Sequence, residues 1–316
     1  MALKVLAAVI ILLVIAGGIF LAATWAPERS VADLKARWAP PPSTFMPLLG
    51  MQVHLRDEGP RDDASPIVLM HGTGSSLHAW EGWVAALKDK HRVITFDLPG
   101  YGLTGPSPDN VYGGERDVAF VIALLDKLGI ARATLGGNSL GAAVALRASL
   151  AHPERVGRLI LVDGGYPVGS QSMPIGFHLL FMPGVGWLMQ HTLPRFLVVQ
   201  GMRNVWGDPE KITPEMIDRA VELTQREGNR AAIIARFTQR WSRLPPPPVA
   251  NVKVPTLIIW GGRDRLVPRA AADALHREIA GSTLVVFEKL GHAPEEEDPE
   301  ATVTAVKAFL ARPAAE

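Results

Sequence analysis

The chain has 316 residues, 48% of them hydrophobic, a formal net charge of +1 and no cysteine. That length holds one large α/β domain or two ordinary ones, with apolar residues enough for a sizeable core. The balanced charge argues against nucleic acid as a main partner, and the absence of cysteine excludes disulfides, cysteine-ligated metals and a thiol nucleophile.

From Val5 to Pro27 no residue is charged, and Val5 to Ala26 is almost wholly apolar. As a helix these twenty-two residues rise about 33 Å, enough to cross a hydrocarbon core of about 30 Å. Trp25 falls where an interfacial aromatic belongs. A cleaved signal peptide has a shorter apolar core, a more basic start and a small-x-small site. Here only Lys4 precedes the run, and Ala22-Ala23-Thr24-Trp25-Ala26 is a poor site. The expectation is an uncleaved single-span anchor over 1–27, with a cleaved signal as the competing reading. The cues to orientation oppose each other. Arg29, Lys35 and Arg37 favour a cytoplasmic C-terminal flank. Signal-like insertion instead places the following domain outside the membrane, which is the expectation adopted.

Residues 28–45 read as a linker, because Ala39-Pro40-Pro41-Pro42-Ser43 favours a stiff polyproline II spacer that lifts the domain off the bilayer. Met51 to Arg56 alternates apolar and polar, as in a half-exposed strand with His54 on its solvated face. Ile67 to Met70 and Val93 to Phe96 are short continuous apolar runs, as expected of buried parallel strands. The first leads into His71-Gly72-Thr73-Gly74, the second into Asp97-Leu98-Pro99-Gly100-Tyr101-Gly102, with Asp97 read as a turn residue. Helical spacing covers about 80–88 and 118–128.

Ala133 to Gly136 is a further strand, followed by Gly137-Asn138-Ser139-Leu140-Gly141 and a helical run from Ala142. Gly-x-Ser-x-Gly between strand and helix is the setting of a nucleophile elbow. A strained turn there presents the Ser139 hydroxyl at a strand's carboxyl end, beside the free N–H groups of a helix N-terminus. Another strand, Arg158 to Asp163, ends the first α/β stretch. From 166 to about 241 no strand pattern appears. Helical stretches are expected at 177–182, 187–189, 214–226 and 231–241, and Pro245 to Pro248 forms a closing strap. Strands Thr256 to Trp260 and Thr283 to Phe287 resume the rhythm, with helices at about 269–279 and 299–310.

Alternating strand and helix imply a parallel sheet covered on both faces, whose carboxyl ends share one edge. Ser139, Asp264 and His292 all follow strand ends and therefore converge there, in the chain order Ser, Asp, His. Asp163 also ends a strand and is the rival acid. His71 is read as a structural hydrogen-bonder.

Four pieces, His71-Gly72-Thr73-Gly74, Asp97 to Gly102, Gly137 to Gly141, and Asp264 with Gly291-His292, make the chain resemble a capped α/β-hydrolase from about Met46 to Leu310. The resemblance implies a mostly parallel eight-stranded sheet with helices on both faces, a core over 46–165 and 250–316, and an inserted helical cap over 166–249. It also implies serine-hydrolase activity. Ser139 is then the nucleophile, His292 the base and Asp264 its orienting acid, with the backbone N–H groups of Thr73 and Leu140 forming the oxyanion hole. A serine at the elbow speaks against epoxide hydrolases and haloalkane dehalogenases, which use a carboxylate. Carboxylic ester hydrolysis leads, on a small-molecule ester of apolar character. Hydrolases of carbon–carbon bonds in ring-fission products have similar elbows but often carry Ser-Gly-Pro-Gly where this chain has Thr73-Gly74-Ser75-Ser76. A non-catalytic, membrane-tethered binding protein is the third reading. No metal or organic cofactor is expected.

Overall fold

The computed structural model describes residues 1–165, 184–240 and 247–312. Eight strands form one sheet: β1 (Thr44–Leu48), β2 (Met51–Glu58), β3 (Ile67–Met70), β4 (Val93–Phe96), β5 (Ala133–Asn138), β6 (Val156–Val162), β7 (Thr256–Gly261) and β8 (Thr283–Phe287). Their order is β1-β2-β4-β3-β5-β6-β7-β8. β1–β2 and β2–β4 pair antiparallel, and every other neighbouring pair is parallel.

The continuous apolar runs are explained by burial on both faces. Val68, Met70, Leu159, Leu161, Ile258 and Trp260 point into one core cluster. Their chain neighbours Ile67, Leu69, Ile160, Val162, Leu257 and Ile259 point into the other. Successive side chains of a strand alternate faces, so neither face can be polar. Helices Gly114–Lys127, Leu140–Ala151 and Arg269–Glu278 cover the first face; Glu81–Leu87 and Pro299–Leu310 cover the second.

β1 is the strand that the apolar runs do not locate. It is short, contains Pro47 and lies at the sheet edge, where proline is tolerated. It turns into β2 through Leu49 and Gly50, both at positive φ (48° and 78°), the geometry of a tight hairpin turn.

Ala2–Thr24 is a 23-residue helix of mean hydropathy 3.1 with none of its residues buried. The segment after it corrects an expectation: residues 28–45 are not an extended spacer. Val31–Trp38 is a helix, capped by a reciprocal pair in which Asp33 N–H donates to Ser30 Oγ and Ser30 N–H to the Asp33 carboxylate, each at 3.2 Å. Leu34 and Trp38 are buried against Leu103 and Leu223. Burying a side chain such as Leu34 is worth about 1.5–3 kcal/mol, which a free tether would forgo.

Between β6 and β7 the described residues hold helices Val185–His191, Arg195–Val205, Pro214–Thr224 and Asn229–Arg240. Arg195–Val205 is the one that the spacing did not single out. The stretch expected at 177–182, residue 241, and Pro245 and Pro246 of the strap lie outside the described residues. Helix Asn229–Arg240 is held to helix Gly114–Lys127 and to the loop after β4 by Arg236, which is 2% exposed. Its guanidinium donates to both Asp117 carboxylate oxygens (2.7 and 2.9 Å) and to Pro99 O (2.7 Å).

Candidate active site

Ser139 lies between β5 and helix Leu140–Ala151 with φ 49° and ψ −104°, a conformation that costs an L-residue about 1–3 kcal/mol. Its N–H donates to Val162 O on β6 at 2.9 Å, and its own carbonyl accepts from Ala143 N–H at 3.1 Å. Space explains the flanking glycines. A Cβ on Gly137 would lie 2.2 Å from the Gly141 carbonyl carbon, and one on Gly141 would lie 2.0 Å from Met70 O. Helix and strand thus cross too closely for any side chain at either position.

Asp264 follows β7 in a turn that it closes itself. Its Oδ1 accepts from Leu266 N–H (2.7 Å) and Val267 N–H (2.9 Å), leaving Oδ2 for the imidazole. His292, in the loop after β8, donates from Nδ1 to that Oδ2 at 2.7 Å. The ring proton is assigned to Nδ1 because a carboxylate can only accept, which leaves Nε2 with a free lone pair. His292 is 6% exposed, and its carbonyl accepts from the Asn138 side-chain amide at 2.8 Å. Asn138 is the residue before Ser139, so elbow and histidine loop are tied together across the sheet edge.

The rival acid is next door. Asp163 ends β6 at φ 44°, is fully buried, and accepts from Gly261 N–H at 2.9 Å. The ligand atoms of Asp163, Asp264 and His292 lie within 4.8 Å of one another, but the imidazole is bonded to Asp264. Burial, and then the adjacent Asp264 charge, push the Asp163 carboxyl well above its usual range. Asp163 is therefore the member of the pair that keeps its proton. The same three groups have the spacing of a cation site, yet Nδ1–H is spent on Asp264 and Asp163 is held protonated, so a metal would have to displace two protons.

Turn 71–74 passes beside the elbow: a Cβ on Gly72 would lie 3.4 Å from Ser139 Cβ. Thr73 is exposed in that turn, and Leu140 is the first residue of the elbow helix. Among the described residues neither backbone N–H donates to a main-chain carbonyl. His71 is fully buried and both of its nitrogens are occupied. Leu98 N–H donates to Nε2 at 3.0 Å, so Nδ1 carries the proton and donates to Gly72 O at 2.7 Å. Burial also lowers its pKa, so it is a fixed spacer for the turn and not a base.

His54 is a correction. It is not solvated but fully buried, donating from Nδ1 to Asp97 Oδ2 at 2.7 Å. Strand alternation gave the wrong face because β1 and the preceding turn cover it; Ser43 Oγ lies 3.0 Å from Nε2. Asp97 does hold its turn, accepting from Leu77 and Leu103 N–H at 2.8 Å each.

Two residues that organise the site were not singled out from sequence. Asn138 is hidden as the variable position of the motif. Glu297 sits in the acidic run Glu295 to Asp298, which looks like a solvated helix start, but is 5% exposed. Its carboxylate accepts from Gly291, Gly207 and Asp208 N–H at 2.8, 2.9 and 2.8 Å. Gly207 and Asp208 belong to the segment inserted between β6 and β7, and His292 N–H donates to Val205 O of the same segment at 2.6 Å. The insertion therefore rests directly on the histidine loop.

A model of the "Alpha/beta hydrolase family" matches residues 67–305. The chain is 30% identical over 278 residues to a 2-hydroxy-6-oxononadienedioate/2-hydroxy-6-oxononatrienedioate hydrolase of Pseudomonas putida, covering 83% of this chain and 92% of that protein. Its fold is similar to that of a membrane phospholipase A, with a TM-score of 0.74, 23% identity and 98% of both chains covered. It is also similar to a thermophilic esterase from Thermogutta terrifontis, with a TM-score of 0.71, 23% identity, and 85% of this chain and 96% of that one covered. The matched span of 67–305, together with this sheet order and site, makes the chain a member of the alpha/beta hydrolase family.

Proposed function

We propose that the chain is a membrane-anchored serine hydrolase of carboxylic esters with apolar acyl groups, working through an acyl-enzyme on Ser139. The observation that carries the chemistry is the 2.7 Å bond from His292 Nδ1 to Asp264, beside a serine held at φ 49° at the head of a helix. In this reading His292 Nε2 takes the Ser139 proton as Oγ attacks the ester carbonyl. It then protonates the departing alkoxide, and Asp264 steadies the imidazolium between the two steps. The N–H groups of Thr73 and Leu140 receive the oxyanion, at about 3–4 kcal/mol for one donor. Water, deprotonated by the same imidazole, releases the acid and restores Ser139.

Two observations support an ester of the membrane. The helix Ala2–Thr24 has the length and apolarity of a span, and the similarity to the membrane phospholipase A extends over 98% of the chain. The second reading, cleavage of a carbon–carbon bond in a ring-fission product, is favoured by the 30% identity to the Pseudomonas putida hydrolase. Thr73-Gly74-Ser75-Ser76 weighs against it. Rates on p-nitrophenyl esters of increasing acyl length, on phospholipid dispersions and on a 2-hydroxy-6-oxo-dienoate separate the two. Turnover of the dienoate alone would replace the ester reading. Turnover of none, with no covalent labelling at Ser139, would favour a binding protein.

A further inference from the structure

The anchor helix does not hang from the domain on a free tether. Leu193 N–H donates to Thr24 O at 3.0 Å and Ala26 N–H to His191 O at 2.9 Å, so that Trp25 and Thr192 pair as a short antiparallel bridge. Trp187 stacks on His191 with ring centroids 4.5 Å apart, and Trp25 lies 5.3 Å from the same imidazole. Further along, Arg29 N–H donates to Gln225 O, and Glu222 accepts from Arg37 and from the Trp38 indole. The end of the apolar helix is thus bonded to the junction of helices Val185–His191 and Arg195–Val205.

That junction is also where the domain is apolar outside. Beyond the anchor, the exposed large hydrophobic residues among the described ones are Trp25, Leu49, Val111, Trp187, Met189, Phe196 and Leu197. Five of these seven, all but Leu49 and Val111, sit at this corner. Phe196 is 60% exposed, Leu197 56% and Trp187 55%, values that water disfavours for side chains of this size. Tryptophan beside the end of a span is the usual occupant of a bilayer interface.

We propose that helix Val185–His191 and the first turn of Arg195–Val205 form a lipid-facing surface that inserts among the headgroups and upper acyl chains of the bilayer. This rests on the anchor reading above. It follows from continuity: if Ala2–Thr24 spans the bilayer, Thr24 and Trp25 end at its surface, and the residues bonded to them cannot lie far from it. The same inserted segment reaches the histidine loop through Val205 and Gly207, so the lipid-facing surface and the active site belong to one substructure. Substrate drawn from the bilayer would then enter under the cap and not from bulk water.

The chain has no cysteine, so single cysteines can be introduced and labelled with an environment-sensitive fluorophore without background. The full chain in nanodiscs would carry the label at Leu12, Met189, Leu197, Leu49 or Val111, against lipids bearing a nitroxide quencher high or low on the acyl chain. The expected result is deep quenching at Leu12, shallow quenching and blue-shifted emission at Met189 and Leu197, and neither effect at Leu49 and Val111. Quenching at Leu12 but none at Met189 or Leu197 overturns the lipid-facing surface while leaving the anchor intact. No quenching at Leu12 overturns the anchor reading itself. A blue shift at Leu197 without lipid quenching, together with cross-linking between copies, means that a second copy of the chain covers the surface and also overturns the proposal.

Discussion

Asp163→Asn should make the protein more stable, by an amount that grows with pH. Asp163 is fully buried beside Asp264, and burial, then that neighbouring charge, raises its carboxyl well above the ordinary value of 3.8. The unfolded chain loses this proton near pH 3.8; the folded chain keeps it to higher pH. Between those two points the folded state binds one proton more, so wild-type stability falls by about 1.4 kcal/mol for each pH unit gained. Asparagine has no proton to lose, so the difference between variant and wild type isolates this one group. Across pH 5 to pH 7 it should widen at up to that rate for as long as the folded carboxyl keeps its proton. With an unfolding entropy of about 2.1 cal/mol/K per residue, a chain of 316 residues shifts by roughly 2 °C in melting temperature for each 1.4 kcal/mol. Urea unfolding of both proteins at pH 5, 6 and 7 measures it. A difference that stays flat across the three would show that Asp163 ionises in the folded state, and the assignment of the proton would be wrong. Catalysis should survive in Asp163→Asn, because the imidazole is bonded to Asp264. Asp264→Asn, which reverses the hydrogen-bond polarity towards Nδ1, should lower kcat by about 10⁴.

Glu295 is buried with one oxygen unpartnered and is also raised by burial, so Glu295→Gln should show the same sign of pH dependence in the same urea series. Asp117→Ala leaves the Arg236 charge buried and unpaired and should cost about 3–5 kcal/mol, while the double variant Asp117→Leu with Arg236→Met should recover most of it, both read by thermal unfolding. Removing residues 2–24 should leave a folded domain. Removing residues 2–42 also strips Leu34 and Trp38 from Leu103 and Leu223 and should cost about 3–6 kcal/mol more, measured as the shift in urea midpoint. Glu297→Ala orphans three N–H donors around the histidine loop and should lower stability by about 3 kcal/mol or more, with kcat falling at fixed protein concentration.

The sheet was legible because parallel strands between two helical layers are largely apolar runs, which marks six of the eight, and β2 shows instead as an alternating strand. Edge strand β1, half-covered and with Pro47, has no such pattern. Chain order and strand ends were enough to put Ser139, Asp264 and His292 at one sheet edge with Asp264 as the expected acid, and of the two acids there it is Asp264 that the imidazole contacts, at 2.7 Å. Long-range pairings were the parts that could not be read. Nothing near Arg37 or Trp38 announces Glu222, almost two hundred residues away, so a proline-rich stretch that packs on the domain reads as a spacer. His54 failed for the same reason: alternation marks a solvated face only if nothing folds over it. Glu297 was hidden because its partners are backbone N–H groups, one six residues back in the histidine loop and two about ninety residues away, which no side-chain pattern records.

An activated Ser139 is what the proposed chemistry requires. The most direct measurement is the intact mass of the full chain and of Ser139→Ala after treatment with a fluorophosphonate, followed by peptide mapping. The expected result is one adduct on Ser139 in the wild type, none in Ser139→Ala, and loss of ester turnover in parallel. Absence of an adduct from the folded wild type, or turnover that survives in Ser139→Ala, would contradict it.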